Sequence, residues 1–187
     1  GGIMSQLDKT IPTLDCSICI EGPKLSDAGR SKNLRIIPNA EVTAMNGHVG
    51  DFTVSVEVKP TYVDPVKCNG CGACIDVCPV YQPNRYDVDL KPVKAIYSPF
   101  AQAVPLKYVI NKGICTECGM CQKACGLSAI NFNDKPKSLQ LNVGAIVIAT
   151  GAALFDPKMK PQYHYGEFEG VITNMELSLI HISEPTR

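Results

Sequence analysis

Eight of the chain's ten cysteines fall into one pattern written twice. Residues 68–79 read CNGCGACIDVCP and residues 115–126 read CTECGMCQKACG. Cys68, Cys71, Cys74 and Cys78 therefore recur as Cys115, Cys118, Cys121 and Cys125 at the same offsets, with Pro79 replaced by Gly126. The flanks repeat as well: YVDPVKC leads into the first run and YVINKGIC into the second. Matching offsets and matching flanks mark an internal duplication, so the chain has to build the same small unit twice. Three cysteines two residues apart impose a tight loop that closes round a common centre. Gly70, Gly72 and Gly119 suit that loop, where side chains have least room and a positive φ is needed.

The spacing C-x2-C-x2-C-x3-C, with a proline after the first run, is that of a [4Fe–4S] ligand set. The fourth cysteine of each run sits on a short helix leading away from its own loop, so it ligates the other cluster of a pair. Two clusters are expected on this basis. Cys68, Cys71, Cys74 and Cys125 form the first ligand set, and Cys115, Cys118, Cys121 and Cys78 the second. Zinc fits poorly, because its four ligands come in two pairs separated by a long gap. A secreted disulfide scaffold fits no better: 187 residues is too long and the spacing too regular. Metal chemistry in a reducing compartment, the cytoplasm, is the expectation.

The rest of the sequence excludes several roles. With 18 basic and 18 acidic residues and no block of like charge, nothing suggests nucleic-acid or polybasic membrane binding. The longest apolar run, residues 143–155, is interrupted by Gly and Thr and too short for a membrane span. The opening GGIMSQLDKT has neither the charged nor the apolar region of a signal peptide. Upstream of the duplication, GPKLSDAGRS reads as a short helix ending near Gly29. The alternating apolar residues either side of Asn46-Gly47 read as two strands joined by a turn there. Downstream, VGAIVIATGA reads as a fully buried strand of a parallel sheet closing in a tight turn.

The duplicated region resembles the two-cluster bacterial ferredoxin module. GLSAINF after Cys125 matches the strand that closes such a half, and the proline-rich residues 79–107 form a long connector that this module lacks. A Gly-Gly start, a strand ending NAEV, a β-meander and then ATG resembles the order of elements in two-dinucleotide-binding-domain flavoproteins. Together these pieces resemble the A subunit of heterodisulfide reductase, an iron–sulfur flavoprotein of methanogens, sulfate reducers and related anaerobes. GGIMSQLDKTIPTLDCSICIEGPKLSDAGR and GAIVIATGAALFDP carry that resemblance most specifically. It implies an α/β fold: an FAD domain interrupted by an α+β two-cluster ferredoxin module. The domains would be 1–58 (FAD domain, first part, truncated at its N-terminus), 59–138 (inserted ferredoxin domain) and 139–177 (FAD domain, continued).

The resemblance further implies electron transfer between FAD and the clusters, in complexes that can bifurcate electron pairs. Partners would be the other subunits of a heterodisulfide-reductase-type complex, hydrogenase or formate dehydrogenase modules, and ferredoxin. A free two-cluster electron carrier, or the flavoprotein subunit feeding glutamate synthase, are the competing readings. Gly1, Gly2, Val42, Thr150 and Gly151 become candidate FAD contacts, with Lys9 and Thr10 candidates beside the isoalloxazine. No catalytic residue for disulfide chemistry is visible. The segment by itself is expected to assemble clusters without retaining flavin, since the Gly-rich phosphate loop is missing.

Three features stay apart from this. The Cys16–x–x–Cys19 pair admits three readings: ligands of a further cluster, a redox-active pair near FAD, or buried thiols. His48 and His164 read as turn and surface residues. Residues 178–187, SLIHISEPTR, resemble translated sequencing adapter, so the native sequence is expected to stop near Leu177 and no function is read into His181.

Overall fold

The computed structural model describes residues 2–100 and 102–183, with side chains as far as residue 180. Its largest sheet has three antiparallel strands in the order β1 (Ala40–His48), β2 (Asp51–Val58) and β7 (Lys137–Val143). Alternation in DFTVSVEV turns Val54 and Val56 into the protein, while β1 stays exposed along its length. The hairpin turn lies at Val49-Gly50, because His48 pairs with Asp51 and Gly47 with Phe52. The expected turn at Asn46-Gly47 is thereby displaced three residues, and both residues belong to β1. Gly50 takes the positive φ of 96° that the turn needs, and its N–H donates to Gly144 O at 2.9 Å. That bond ties the turn to the end of β7, a tertiary restraint invisible to the local Asn-Gly signal.

Val58 and Lys137 stand directly opposite each other at one end of the β2–β7 ladder. The chain therefore leaves the sheet and returns to it at the same place, and everything between is an excursion from one strand to its neighbour. That excursion contains both cysteine runs. Its core gathers Val63, Ile96, Ile110, Ala129 and Ile130 with Cys68, Cys74 and Cys121. Short antiparallel contacts close it: Val63 bridges Ile130, Asp64 N–H donates to Ala129 O at 2.7 Å, and β5 (Ile96–Tyr97) pairs with β6 (Val109–Ile110). The connector adds a hairpin of β3 (Tyr81–Pro83) and β4 (Pro92–Lys94).

Before the sheet come α1 (Ile3–Gln6) and α2 (Ser17–Arg30). α2 starts well upstream of the expected short helix, because the Cys16 sulfur caps it by accepting from Cys19 N–H at 3.2 Å, and it carries Pro23 within it. After the sheet, residues 144–156 are exposed and form no strand, with Val147 89% and Ile148 82% accessible. The buried parallel strand expected there is absent, and every ladder among the described strands is antiparallel. A fully buried strand needs a partner on each side, and the described residues supply none.

The described residues close with α5 (Asn174–Ser183), which runs through Leu177. Thr173 and Glu176 form a capping box: Thr173 N–H donates to Glu176 Oε2 at 2.6 Å and Glu176 N–H to Thr173 Oγ1 at 3.2 Å. Ser178 is fully buried; its Oγ accepts from Asp8 and Lys9 N–H and donates to Lys9 O, docking α5 on the N-terminal segment.

Candidate metal centre

Each cysteine run is entered through the same device. Four residues before the first cysteine stands Asp64 in one half and Asn111 in the other. Asp64 Oδ1 accepts from Val66 N–H at 2.8 Å, Asn111 Oδ1 from Gly113 N–H at 3.1 Å, and the backbone carbonyl of each accepts from Cys68 or Cys115 N–H. The loop then turns through a left-handed glycine, Gly72 at φ 88° or Gly119 at φ 73°. That glycine caps α3 (Ala73–Asp76) or α4 (Met120–Ala124). Exposure repeats with the sequence: the second cysteine of each run, Cys71 or Cys118, is exposed, and the third, Cys74 or Cys121, is buried.

The second ligand set comes together across the duplication. A small cavity under β5 and β6 is lined by Cys115, Cys118 and Cys121 from the second run and by Cys78 from the first, backed by Ile96, Ile110 and Phe132. In the other half Cys74 lies beside Cys68 and Cys71, and Cys125, at the end of α4, packs against the same core. Burial pushes the Cys74 thiol up to about 11, with the charges of Cys68, Cys121 and Cys71 adding to the rise. Burial likewise raises Cys121, followed by the influence of Cys115. Backbone N–H groups already point at two sulfurs, Ala129 N–H at Cys125 (3.3 Å) and Glu117 N–H at Cys115 (3.4 Å).

Among the described residues no three Cys, His, Asp or Glu side chains are gathered closely enough for a single metal ion. A lone tetrahedral zinc would draw its sulfurs to within about 4 Å of one another. The four thiols of Cys78, Cys115, Cys118 and Cys121, lining one cavity with apolar backing, are donors of the kind that hold the larger [4Fe–4S] group at its corners.

The connector supplies two groups that motif reading passed over. Lys94 Nζ donates to Cys78 O at 2.6 Å and Lys107 Nζ donates to Cys68 O. Nothing local marks them, since their partners are 16 and 39 residues away.

Cys16 and Cys19 are joined by a disulfide at the start of α2, with Cys16 half-buried and Cys19 exposed, so they are not the buried thiols of one reading. Of the candidate flavin contacts, Gly1 lies outside the described residues. Gly2, Val42, Thr150 and Gly151 are exposed, while Lys9 and Thr10 are half-buried beside Cys16. None of them lines the larger cavities of the molecule. The described residues therefore do not assemble a flavin site, and no chemical step is derived through one. His48 and His164 are exposed, with His164 Nδ1 2.7 Å from Glu167 Oε2, and the His181 side chain lies outside the described residues.

Residues 61–82 match the family model Fer4, a 4Fe-4S binding domain. Over its whole length the chain is 45% identical to the A subunit of the H(2):CoB-CoM heterodisulfide,ferredoxin reductase of Methanothermobacter marburgensis. It is 48% identical to an iron-sulfur A subunit of the CoB--CoM heterodisulfide reductase of Methanopyrus kandleri. With the A subunit of the ferredoxin/F(420)H(2)-dependent CoB-CoM heterodisulfide reductase of Methanosarcina acetivorans it shares 38%. The chain spans 28% of the length of the first two relatives and 24% of the third. No described helix is long and apolar enough to cross a membrane.

Proposed function

The chain is homologous along its whole length to the A subunits of CoB–CoM heterodisulfide reductases, and from that premise we propose that it is the electron-relay segment of such a protein. Two [4Fe–4S] clusters held by the eight duplicated cysteines pass single electrons through it. The observation that carries this reading is the convergence of Cys78 with Cys115, Cys118 and Cys121 on one cavity. The paired arrangement needs that crossing, and a pair of independent four-cysteine sites would not produce it.

When bound, the clusters supply the one-electron carriers. The chain's own residues do the rest. Buried Cys74 and Cys121 would hold a cluster from the protein side, while exposed Cys71 and Cys118 would hold it where an electron donor or acceptor can approach. Apolar residues such as Ile96 and Ile110 would keep water from the buried thiolates, and the N–H groups of Ala129 and Glu117, which donate to the Cys125 and Cys115 sulfurs, would favour the reduced state.

In the whole subunit the relay would work against FAD, in an oxidoreductase complex that exchanges electrons with ferredoxin and with hydrogenase or formate dehydrogenase modules. The flavin part of this reading rests on the resemblance of residues 1–58 and 139–177 to flavoprotein elements. The test is composition of the full-length subunit with each crossed ligand set, Cys68, Cys71, Cys74 and Cys125 or Cys115, Cys118, Cys121 and Cys78, disabled in turn. About four irons should be lost per disabled cluster, and flavin should be released on denaturation. Iron unchanged by both substitutions would overturn the relay, and absence of flavin would overturn the FAD part alone.

A further inference from the structure

The connector of residues 79–107 anchors one ammonium group on each cysteine set. Lys94 ends β4, and its register partner in β3 is Tyr81. Its Nζ is held between Cys78 O, at 2.6 Å, and the Tyr81 ring, whose centroid is 3.9 Å away. Lys107, at the far end of the connector, donates to Cys68 O. Both side chains are half-buried, and neither pairs with a carboxylate among the described residues. Lys112 and Lys59 contrast with them, because Glu117 and Glu41 neutralise these at 2.7 Å.

We propose that Lys94 and Lys107 are positioning residues that set the reduction potentials of the two clusters separately. Lys94 acts on the cluster of Cys78, Cys115, Cys118 and Cys121, and Lys107 on that of Cys68, Cys71, Cys74 and Cys125. The inference rests on the two-cluster reading above. A cluster with four thiolate ligands gains one negative charge when reduced, so a fixed cation beside it stabilises the reduced form more than the oxidised one. Half-burial limits screening by salt, and the carbonyl and aromatic ring hold the charge of Lys94 in place. The connector thus raises both potentials, through a different residue for each.

The experiment is an EPR-monitored redox titration of the full-length, cluster-loaded subunit. Lys94→Gln should move the midpoint of one cluster to a more negative value and leave the other in place. Lys107→Gln should do the converse, and Lys→Arg at either site should restore the original midpoint. Full iron content with both midpoints unmoved would overturn the proposal, as would equal shifts of both clusters or an Arg variant that fails to restore. Loss of iron from a Gln variant would show a structural role and overturn the assignment for that lysine. Failure to detect two cluster signals in the unsubstituted subunit would instead sink the two-cluster reading.

Discussion

Cys78 separates two ways of wiring the site. Read along the chain, it belongs with Cys68, Cys71 and Cys74; in space it lines the cavity of Cys115, Cys118 and Cys121. Cys78→Ser should therefore perturb the cluster of the second run and spare that of the first. Combined with Cys118→Ser it should cost no more iron than either change alone, about four per chain. Additive loss in the double variant, measured by iron and sulfide analysis, would contradict the crossing. The raised thiol of Cys74 gives a second expectation for the iron-free chain. Its folded value of about 11 lies above the ordinary 9.0, so the folded state holds the proton more tightly. That contribution to stability is complete below pH 9 and is lost as pH rises through 11. Thermal unfolding of the apo form should thus show a falling midpoint across that window, and cluster loading should remove the trend because the thiolate is then committed to iron. The two cysteine runs themselves were legible in the sequence, because their spacing is a local property. The two connector lysines were not, because what makes them notable is a carbonyl brought close only by the fold.

The β1–β2 hairpin shows where local signals give way. Asn-Gly is a strong turn signal, yet Gly47 lies within β1 at φ 114°, where a Cβ would stand 2.1 Å from Asp51 O. Gly50 in the actual turn has open space around it. Gly47→Ala should accordingly destabilise the sheet by about 1–3 kcal/mol, from backbone strain plus the clash. Gly50→Ala should cost clearly less, only the penalty of its positive φ. Denaturant unfolding of the two variants decides it; equal losses would mean that contact with the Asp51 carbonyl is unimportant. The same limit explains residues 145–149. AIVIA has the composition of a buried strand, but composition cannot say whether neighbouring strands exist, and among the described residues none does. At α5 the Thr173-x-x-Glu176 capping box was present in the sequence and went unread. Burial raises the Glu176 carboxyl, but hydrogen bonds from Thr173 and Tyr165 outweigh it and leave it below the usual range. Its help to the helix is present at neutral pH and fades as pH falls through that lowered value.

At the scale of the whole molecule, the register of β2 against β7 is the organising fact. Because Val58 and Lys137 are ladder partners, residues 59–136 can be replaced by a two-residue turn without moving either strand. In the full-length subunit that deletion should remove about eight irons while the remainder unfolds as cooperatively as before. Loss of cooperative unfolding would show that the inserted unit holds the sheet together. The duplication made the existence of this unit plain from the sequence, whereas its seat between two adjacent strands needed the ladder. That seat also has a consequence for synthesis. Chains emerge from the ribosome at about 5–20 residues per second, so β2 waits about 4–16 seconds for the neighbour that will cover its free edge. A hairpin of β1 and β2 is marginal alone, while all eight duplicated cysteines are already outside before β7 appears. Iron delivery can thus precede closure of the sheet, and the growing chain has an interval in which an unloaded insert is still open to its suppliers.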